Sequence, residues 1–94
     1  MRLMLSFTIP VEKGNETAKD GTLGAAIDKL LEQTNAEAAY FMVKDGQRAG
    51  MVFFEADDPA RLPEINEPFF AAVDAAIDIV PVLRPDDLRR GLST

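Results

Sequence analysis

The chain has 94 residues, 47% of them hydrophobic and 28% charged, with a net charge of −6 at pH 7. This composition is typical of one soluble globular domain spanning residues 1–94, and the acidic balance argues against a nucleic-acid partner, because phosphate backbones are bound by clustered lysine and arginine. The sequence contains no cysteine, histidine or tryptophan. Disulfides, thiolate or histidine catalysis and the usual zinc and haem ligands are therefore excluded, and we expect neither a metal nor a cofactor.

The first residues are apolar, but the run is too short for a secretory signal. Ser6 and Thr8 interrupt it, and Pro10 follows at once. No stretch approaches the roughly 20 apolar residues that span a bilayer. Together with the absence of cysteine, these features predict a cytoplasmic protein that makes no membrane contact.

The first third of the chain predicts a strand and then a helix. Apolar residues alternate over positions 2–9, with one face to be covered by helices (Leu3, Leu5, Phe7, Ile9) and the other carrying Met4, Ser6 and Thr8. Residues 11–21 hold two glycines and many charges, which favours a connection that is only partly helical. From Thr22, a plausible N-cap, apolar positions recur at helical spacing as far as Thr34.

The middle of the chain predicts a β-hairpin turning at Asp45-Gly46. This dipeptide is the strongest short-range hairpin signal, because both central residues must adopt positive φ. A two-residue loop pairs one face as Lys44 with Gln47, Met42 with Ala49, Tyr40 with Met51 and Ala38 with Phe53. Phe41 and Val43 then lie with Val52 and Phe54 on the other face, which helices are expected to cover.

The last third predicts a helix, a strand and a short terminal helix. Asp58 is a plausible N-cap with Pro59 at the first helical position, while Pro63 and Pro68 favour a kinked or broken helix. Residues 76–83 alternate as a fourth strand, in which Pro81 indicates an edge strand or a bulge. Two aspartates at 86–87, two arginines at 89–90 and a C-cap at Gly91 indicate the terminal helix.

The order of elements predicts an α+β domain of the ferredoxin-like type, βαββαβ. Such a chain forms a four-stranded antiparallel sheet with two helices on one face, here followed by a short C-terminal helix. The open face would be mostly apolar, carrying Met4, Ser6, Thr8, Ala38, Tyr40, Met42, Met51, Phe53, Glu55, Asp78, Val80 and Val82. Exposed apolar surface of this kind marks an interface or a ligand site, so we expect a homodimer through the sheet face.

Several landmarks resemble the dimeric α+β-barrel superfamily of small stand-alone proteins, and in particular an uncharacterised bacterial group within it. They are the segments 7–10, 55–59 and 80–83 together with the order of elements and the length. The resemblance implies a sheet-to-sheet dimer that encloses a cavity. Some members of the superfamily are cofactor-free monooxygenases, isomerases or decarboxylases, but their frequent histidine and tryptophan are absent here, so no catalytic residue is carried over.

The candidate binding residues are those of the open face that offer polar or aromatic contacts, namely Ser6, Thr8, Tyr40, Met51 and Glu55. They favour a small-molecule-binding or accessory protein with a mostly apolar pocket at the dimer interface. An alternative is a cofactor-independent monooxygenase-like or isomerase-like enzyme acting on a small aromatic or polyketide-like substrate, with Tyr40 as proton donor and Glu55 as base. A further alternative is a structural dimer without a ligand.

Overall fold

A computed structural model describes residues 1–93. Within this range the chain forms four strands and four helices, in the order β1 (Arg2–Ile9), α1 (Val11–Asp20), α2 (Thr22–Thr34), β2 (Ala38–Lys44), β3 (Gln47–Glu55), α3 (Arg61–Val73), β4 (Ala76–Pro81) and α4 (Pro85–Leu92). None of these helices is long and apolar enough to cross a bilayer.

The four strands form one antiparallel sheet in the order β2-β3-β1-β4. The first and third strands are central because the crossover after β1 leaves a gap that β3 fills, and the second crossover returns β4 to the other side of β1. This is the ferredoxin-like α+β arrangement, which confirms the predicted fold class. The proline-containing β4 is an edge strand, one of the two outcomes that Pro81 indicated.

The core lies between the sheet and the helices on one of its faces. All four apolar residues predicted to face the helices from the first strand are buried, and they pack with Val52 and Phe54 of β3. From the helices, the cluster receives Leu30, Ile65, Phe69 and Val73. Phe7 and Phe69 meet edge to face with ring centroids 4.9 Å apart, so the sheet and α3 are joined by an aromatic pair at the centre of the core.

The first crossover contains two helices, where a partly helical connection and one helix were predicted. Residues 11–20 are fully helical, and Gly21 (φ 87°) makes the turn into α2 in a conformation that favours glycine. Gly21, and not Thr22, occupies the N-cap position of α2. The backbone N–H of Thr22 instead donates to Asp20 Oδ1 at 2.8 Å.

The second crossover helix begins later than predicted and is not broken. Asp58 accepts hydrogen bonds from the backbone N–H groups of Ala60, through Oδ1, and Arg61, through its carbonyl, each at 3.0 Å. It therefore caps a turn that leads into α3, which begins at Arg61. The helix continues through both prolines to Val73, because Pro63 lies in the first turn, where a missing N–H is harmless, and only Pro68 is internal.

The hairpin has the predicted register, pairing Lys44 with Gln47 and Tyr40 with Met51. Asp45 and Gly46 both have positive φ, 52° and 77°, as a two-residue turn of this type requires.

The expectation that helices cover the whole inner face of the hairpin is wrong at its outer strand. Phe41 is 52% exposed and Val43 is 77% exposed, because the helical layer does not extend over the edge strand β2.

The C-terminal segment also differs in detail from its prediction. The strand β4 ends at Pro81, two residues early, and Gly91 lies inside α4, which extends to Leu92 with Ser93 at the C-cap. This helix buries none of its residues, and Leu88 and Leu92 remain 49% and 75% exposed. Asp86 and Asp87 pair with Arg89 and Arg90, so the helix is held by local ion pairs and its capping interactions.

Candidate functional site

The sheet face opposite the helices carries several exposed or partly buried apolar side chains. Because side chains alternate along a strand, the even-numbered residues of β1 share this face with Met51 and Phe53 of β3. Tyr40, Met42 and Val80 on the two edge strands are 60%, 36% and 43% exposed. No helix within residues 1–93 is buried against these side chains, so the open face predicted from the alternation is present.

The backbone register places the polar residues of this face at two neighbouring levels. Ser6 lies between Met51 and Asp78, with Tyr40 opposite Met51 on the outer side. Thr8 lies one level away, between Ala49 and Ala76, with Met42 opposite Ala49. Each level therefore crosses all four strands, and the two levels are neighbours on one face because Ser6 and Thr8 are two residues apart on β1.

A depression of about 110 Å³ lies where these two levels meet. Short side chains occupy its centre, while the longer Met42 and Met51 rise beside them, which accounts for the hollow on an otherwise flat sheet. Lys44 and Asp78, on opposite edge strands, contribute the charged groups of the lining. The full lining consists of Ser6, Phe7, Thr8, Met42, Lys44, Ala49, Gly50, Met51, Ala76 and Asp78.

The structure brings together three of the five candidate residues. Ser6, Thr8 and Met51 line the depression. Tyr40 is outside the lining but neighbours Met51 across the β2–β3 ladder, with most of its side chain exposed. Glu55 is four residues further along β3, about 13 Å from Met51 at 3.3 Å per residue, and its Oε2 pairs with the N-terminal ammonium group at 3.1 Å.

Sequence reasoning left Lys44 and Asp78 out of the candidate set, although both line the depression. Lys44 belongs to the residue pair that closes the hairpin, which suggests a solvated turn residue. Asp78 reaches the depression through its pairing with Ser6. Hairpin pairing can be predicted from the turn. The pairing of β1 with β4, in contrast, is between residues from opposite ends of the chain, and no local sequence signal predicts its register.

The polar groups of the depression are available for a ligand. Among residues 1–93, the hydroxyls of Thr17 and Thr34 donate to backbone carbonyls of their own helices, that of Ser93 donates to the carbonyl of Arg90, and that of Thr22 interacts with the Asp20 carboxylate. The hydroxyls of Ser6 and Thr8 therefore have no intramolecular partner. No cluster of three or more acidic residues suited to a metal ion occurs in the described part of the chain.

A larger groove of about 220 Å³ lies on the other side of the domain, between α2 and α3. Ala25, Ala26 and Ala72 are too small to fill the space between the helices, and the buried Ile65 and Phe69 also line it. Its polar residues are Thr22, Lys29 and Gln33. Because the groove lies between two packed helices and contains no converging polar groups, it offers less chemistry than the sheet face.

Comparison with known proteins supports the fold and identifies the family. The chain is similar to the periplasmic divalent cation tolerance protein CutA from Archaeoglobus fulgidus, with 16% identity, a TM-score of 0.52 and coverage of 89% of this chain and 86% of that one. The de novo designed protein Ferredog-Diesel aligns with 13% identity, a TM-score of 0.43 and coverage of 85% and 82%. No curated protein sequence matches the chain significantly. The model of the domain of unknown function DUF3303 matches residues 1–94, and the protein belongs to this family.

Proposed function

We propose that the protein is a small-molecule-binding or accessory protein that dimerises through its open sheet face and encloses a mostly apolar pocket between the two copies. The observation that carries this proposal is the uncovered apolar sheet face with a depression among its central strands. Apolar surface of this kind on a soluble domain usually serves as an interface or a ligand site.

The size of the domain favours covering this face. A chain of 94 residues buries only about 60 to 65% of the surface that its unfolded form exposes, and here the helices cover one face of the sheet only. A second copy related by a two-fold axis offers the same apolar surface, so the interface would be self-complementary. The two depressions would then face each other and form one enclosed cavity.

The lining of the depression indicates the kind of ligand that the cavity would hold. Met42 and Met51 supply flexible, polarizable walls that adapt to an apolar molecule. The free hydroxyls of Ser6 and Thr8 supply a few hydrogen bonds that would orient it, and Tyr40 extends the apolar surface at the rim. A pocket with mostly apolar walls and few polar groups suits a small, largely apolar compound.

The geometry supports binding better than the enzymatic alternative. A mechanism with Tyr40 as proton donor and Glu55 as base requires both groups to reach one substrate. Within one protomer, Glu55 lies four residues along β3 from the level of Tyr40, and its carboxylate is paired with the chain's own ammonium group. In the proposed dimer we therefore place Glu55 at the margin of the interface and Tyr40 at the rim of the pocket.

The first test is Met51→Glu, which places a carboxylate in the proposed interface. Met51 is only partly buried in the isolated domain, so a glutamate there stays hydrated and the fold should persist. In the dimer the same charge would be buried without a partner, at a cost of several kcal/mol. We expect native mass spectrometry to find dimers of the wild type, with any retained small molecule as added mass, and monomers of M51E.

Val43→Glu is the matched control. It makes the same kind of substitution in the same hairpin, but Val43 lies on the other face of the sheet and is already 77% exposed. V43E should therefore remain dimeric. A dimeric M51E, or a wild type that is monomeric at every concentration, would contradict the sheet-face dimer, while a dimer without added mass would leave the structural alternative in place.

A cytoplasmic location is also part of the proposal. It is supported by the cysteine-free composition, which suits a reducing compartment. The fold neighbour CutA is described as periplasmic, so the two locations are distinguishable hypotheses. Fractionation of cells that express the full-length native protein, with detection by antibody, would decide between them.

A further inference from the structure

A second cavity lies on the helical side of the sheet, beside the uncovered part of the hairpin. It has a volume of about 150 Å³ and is open to solvent where β2 extends beyond the helices. Leu23 and Ile27 of α2 form one wall, and Phe7 and Phe41 of the sheet form another. The complete lining is Phe7, Ile9, Leu23, Ile27, Phe41, Met42, Arg48 and Ala49. Arg48 is the only charged residue in this set.

The position of Arg48 is defined by its neighbours in the sheet and in α1. It faces the helices from β3, where it pairs with Ile9 on one side and Val43 on the other. Gly14 of α1 makes room for its guanidinium group, since a Cβ atom at position 14 would lie 2.6 Å from Nη1. Nη1 donates a hydrogen bond to Asn15 Oδ1 at 3.1 Å. The charged group is thus held against α1 at the edge of an apolar cavity.

The charge of Arg48 has no carboxylate partner within residues 1–93. Other arginines of the chain do form ion pairs, namely Arg2 with Glu37, Arg61 with Glu64, Arg89 with Asp86 and Arg90 with Asp87. A guanidinium has five N–H donors, and the contact with Asn15 uses one of them. The remaining donors can take a carboxylate in the two-pronged geometry that arginine favours.

We propose that this cavity binds a small aromatic carboxylate, with the ring between α2 and the hairpin and the carboxylate on Arg48. An apolar cavity of about 150 Å³ accommodates one benzene ring, which matches the observed volume. Phe7 and Phe41, with ring centroids 6.5 Å apart and tilted by 58°, offer ring edges and faces to an aromatic ligand. Arg48, Leu23 and Ile27 place the site on the face of the sheet opposite the proposed dimer interface, although Phe7, Met42 and Ala49 line both this cavity and the sheet-face depression.

The test is a titration of ¹⁵N-labelled protein with sodium benzoate, followed by amide chemical shifts. Benzyl alcohol serves as a neutral probe with the same ring. We expect benzoate to shift amides around Leu23, Ile27 and residues 41–50, and to bind about tenfold more tightly than benzyl alcohol, because only benzoate forms charge-assisted hydrogen bonds. Arg48→Gln should remove this preference, while Arg89→Gln, at an exposed arginine of α4, should leave it unchanged.

Two further variants keep Arg48 and test the same geometry. Gly14→Ala should displace the guanidinium and weaken benzoate binding, although the charge remains. Val43→Glu places a carboxylate at the position paired with Arg48, where it should compete with benzoate from within the chain. Unchanged benzoate affinity in R48Q, or shifts confined to the open sheet face, would overturn the proposal. We expect M51E to bind benzoate as the wild type does, because Met51 does not line this cavity. Loss of the dimer can then be distinguished from loss of this site.

Discussion

Gly50 shows how one missing side chain shapes both the core and the cavity beside Arg48. A Cβ atom at this position would lie 2.7 Å from Cε2 and Cζ of Phe7 and 2.9 Å from Cδ1 of Phe41. The two aromatic rings therefore lie over the backbone of β3, where any other residue would hold them away. Phe41 is half exposed and can move, whereas Phe7 is buried and packs edge to face against Phe69, so its ring can shift less.

Gly50→Ala should accordingly destabilise the domain, although alanine ordinarily suits a strand better than glycine. Overpacking of this kind costs about 1–3 kcal/mol in the free energy of unfolding, measurable by urea denaturation. Gly24→Ala is the control, since it lies in α2 with no atom within 4 Å of the added methyl group and should stabilise by about 0.5–1 kcal/mol. Equal stability of G50A and the wild type would mean that the Phe7 ring is loosely packed.

The ion pair between Arg2 and Glu37 joins the start of β1 to the turn before β2. It is bidentate, with Nε to Oε2 at 2.9 Å and Nη2 to Oε1 at 2.8 Å. These hydrogen bonds hold the pKa of the Glu37 carboxyl below its ordinary value and raise the pKa of Arg2. A carboxyl whose pKa is lower in the folded state than in the unfolded state stabilises the fold while it is ionised in both.

The stability that this pair contributes should depend on pH in a defined direction. It is fully present above the ordinary pKa of a glutamate, and it is lost as the pH falls through that value and then through the lower pKa of the folded state. Glu37→Gln should therefore lower the melting temperature at neutral pH and have no effect in strong acid. Thermal unfolding across this range would measure it, with Glu67→Gln as control, because Glu67 is exposed and forms no ion pair within residues 1–93. A pH-independent difference would contradict the role assigned to the charge.

At the level of elements, prediction from the sequence succeeded where the signal was local. The Asp45-Gly46 turn specified its own conformation, and a two-residue loop leaves only one register, so every pair of the hairpin was predicted correctly. Alternation in β1 likewise assigned its faces. In contrast, two glycines and many charges led to the prediction that residues 11–21 are only partly helical, whereas α1 is fully helical although it buries just Gly14 and Thr17. Its contacts with α2, α3 and Arg48 of β3 depend on the tertiary structure, which no local pattern predicts.

The extent of the helical layer could not be predicted from these same patterns. Alternation shows that Phe41 and Val43 share a face with the core residues of β3, but it does not show where a helix ends above them. In the structure the edge strand β2 extends beyond α2, which leaves Phe41 and Val43 exposed and opens the cavity beside Arg48. An apolar residue that the alternation pattern predicts to face the core can therefore line an open pocket instead, when it lies on an edge strand.

For the whole molecule, the order of elements was sufficient to predict the ferredoxin-like topology, since few arrangements of such a chain avoid crossed connections. The candidate site was predicted in part. Ser6, Thr8 and Met51 share one depression because hairpin register and strand alternation place them there. Lys44 reaches it through the hairpin pairing, whereas Asp78 reaches it only through the pairing of β1 with β4, in which Ser6 and Asp78 are more than 70 positions apart in sequence.

Net charge acts at this same scale. Each copy carries a charge of −6 on a body of 52 × 28 × 17 Å, and sheets that pack face to face lie about 10 Å apart. At an ionic strength of 10 mM, charges interact over about 30 Å. Almost all the charges of one copy would then repel those of the other. Near 150 mM the range falls to about 8 Å, and the apolar contact would be opposed by far less repulsion.

We therefore expect the proposed dimer to become tighter as sodium chloride is raised from about 10 mM to about 150 mM. Sedimentation equilibrium over a range of protein concentrations would give the dissociation constant at each salt concentration, with M51E as the control that should remain monomeric throughout. Salt screens attraction as well as repulsion, so the sign of the change identifies the dominant force. A dimer that weakens with added salt would mean that ion pairs between the copies, and not their apolar sheet faces, hold the interface together.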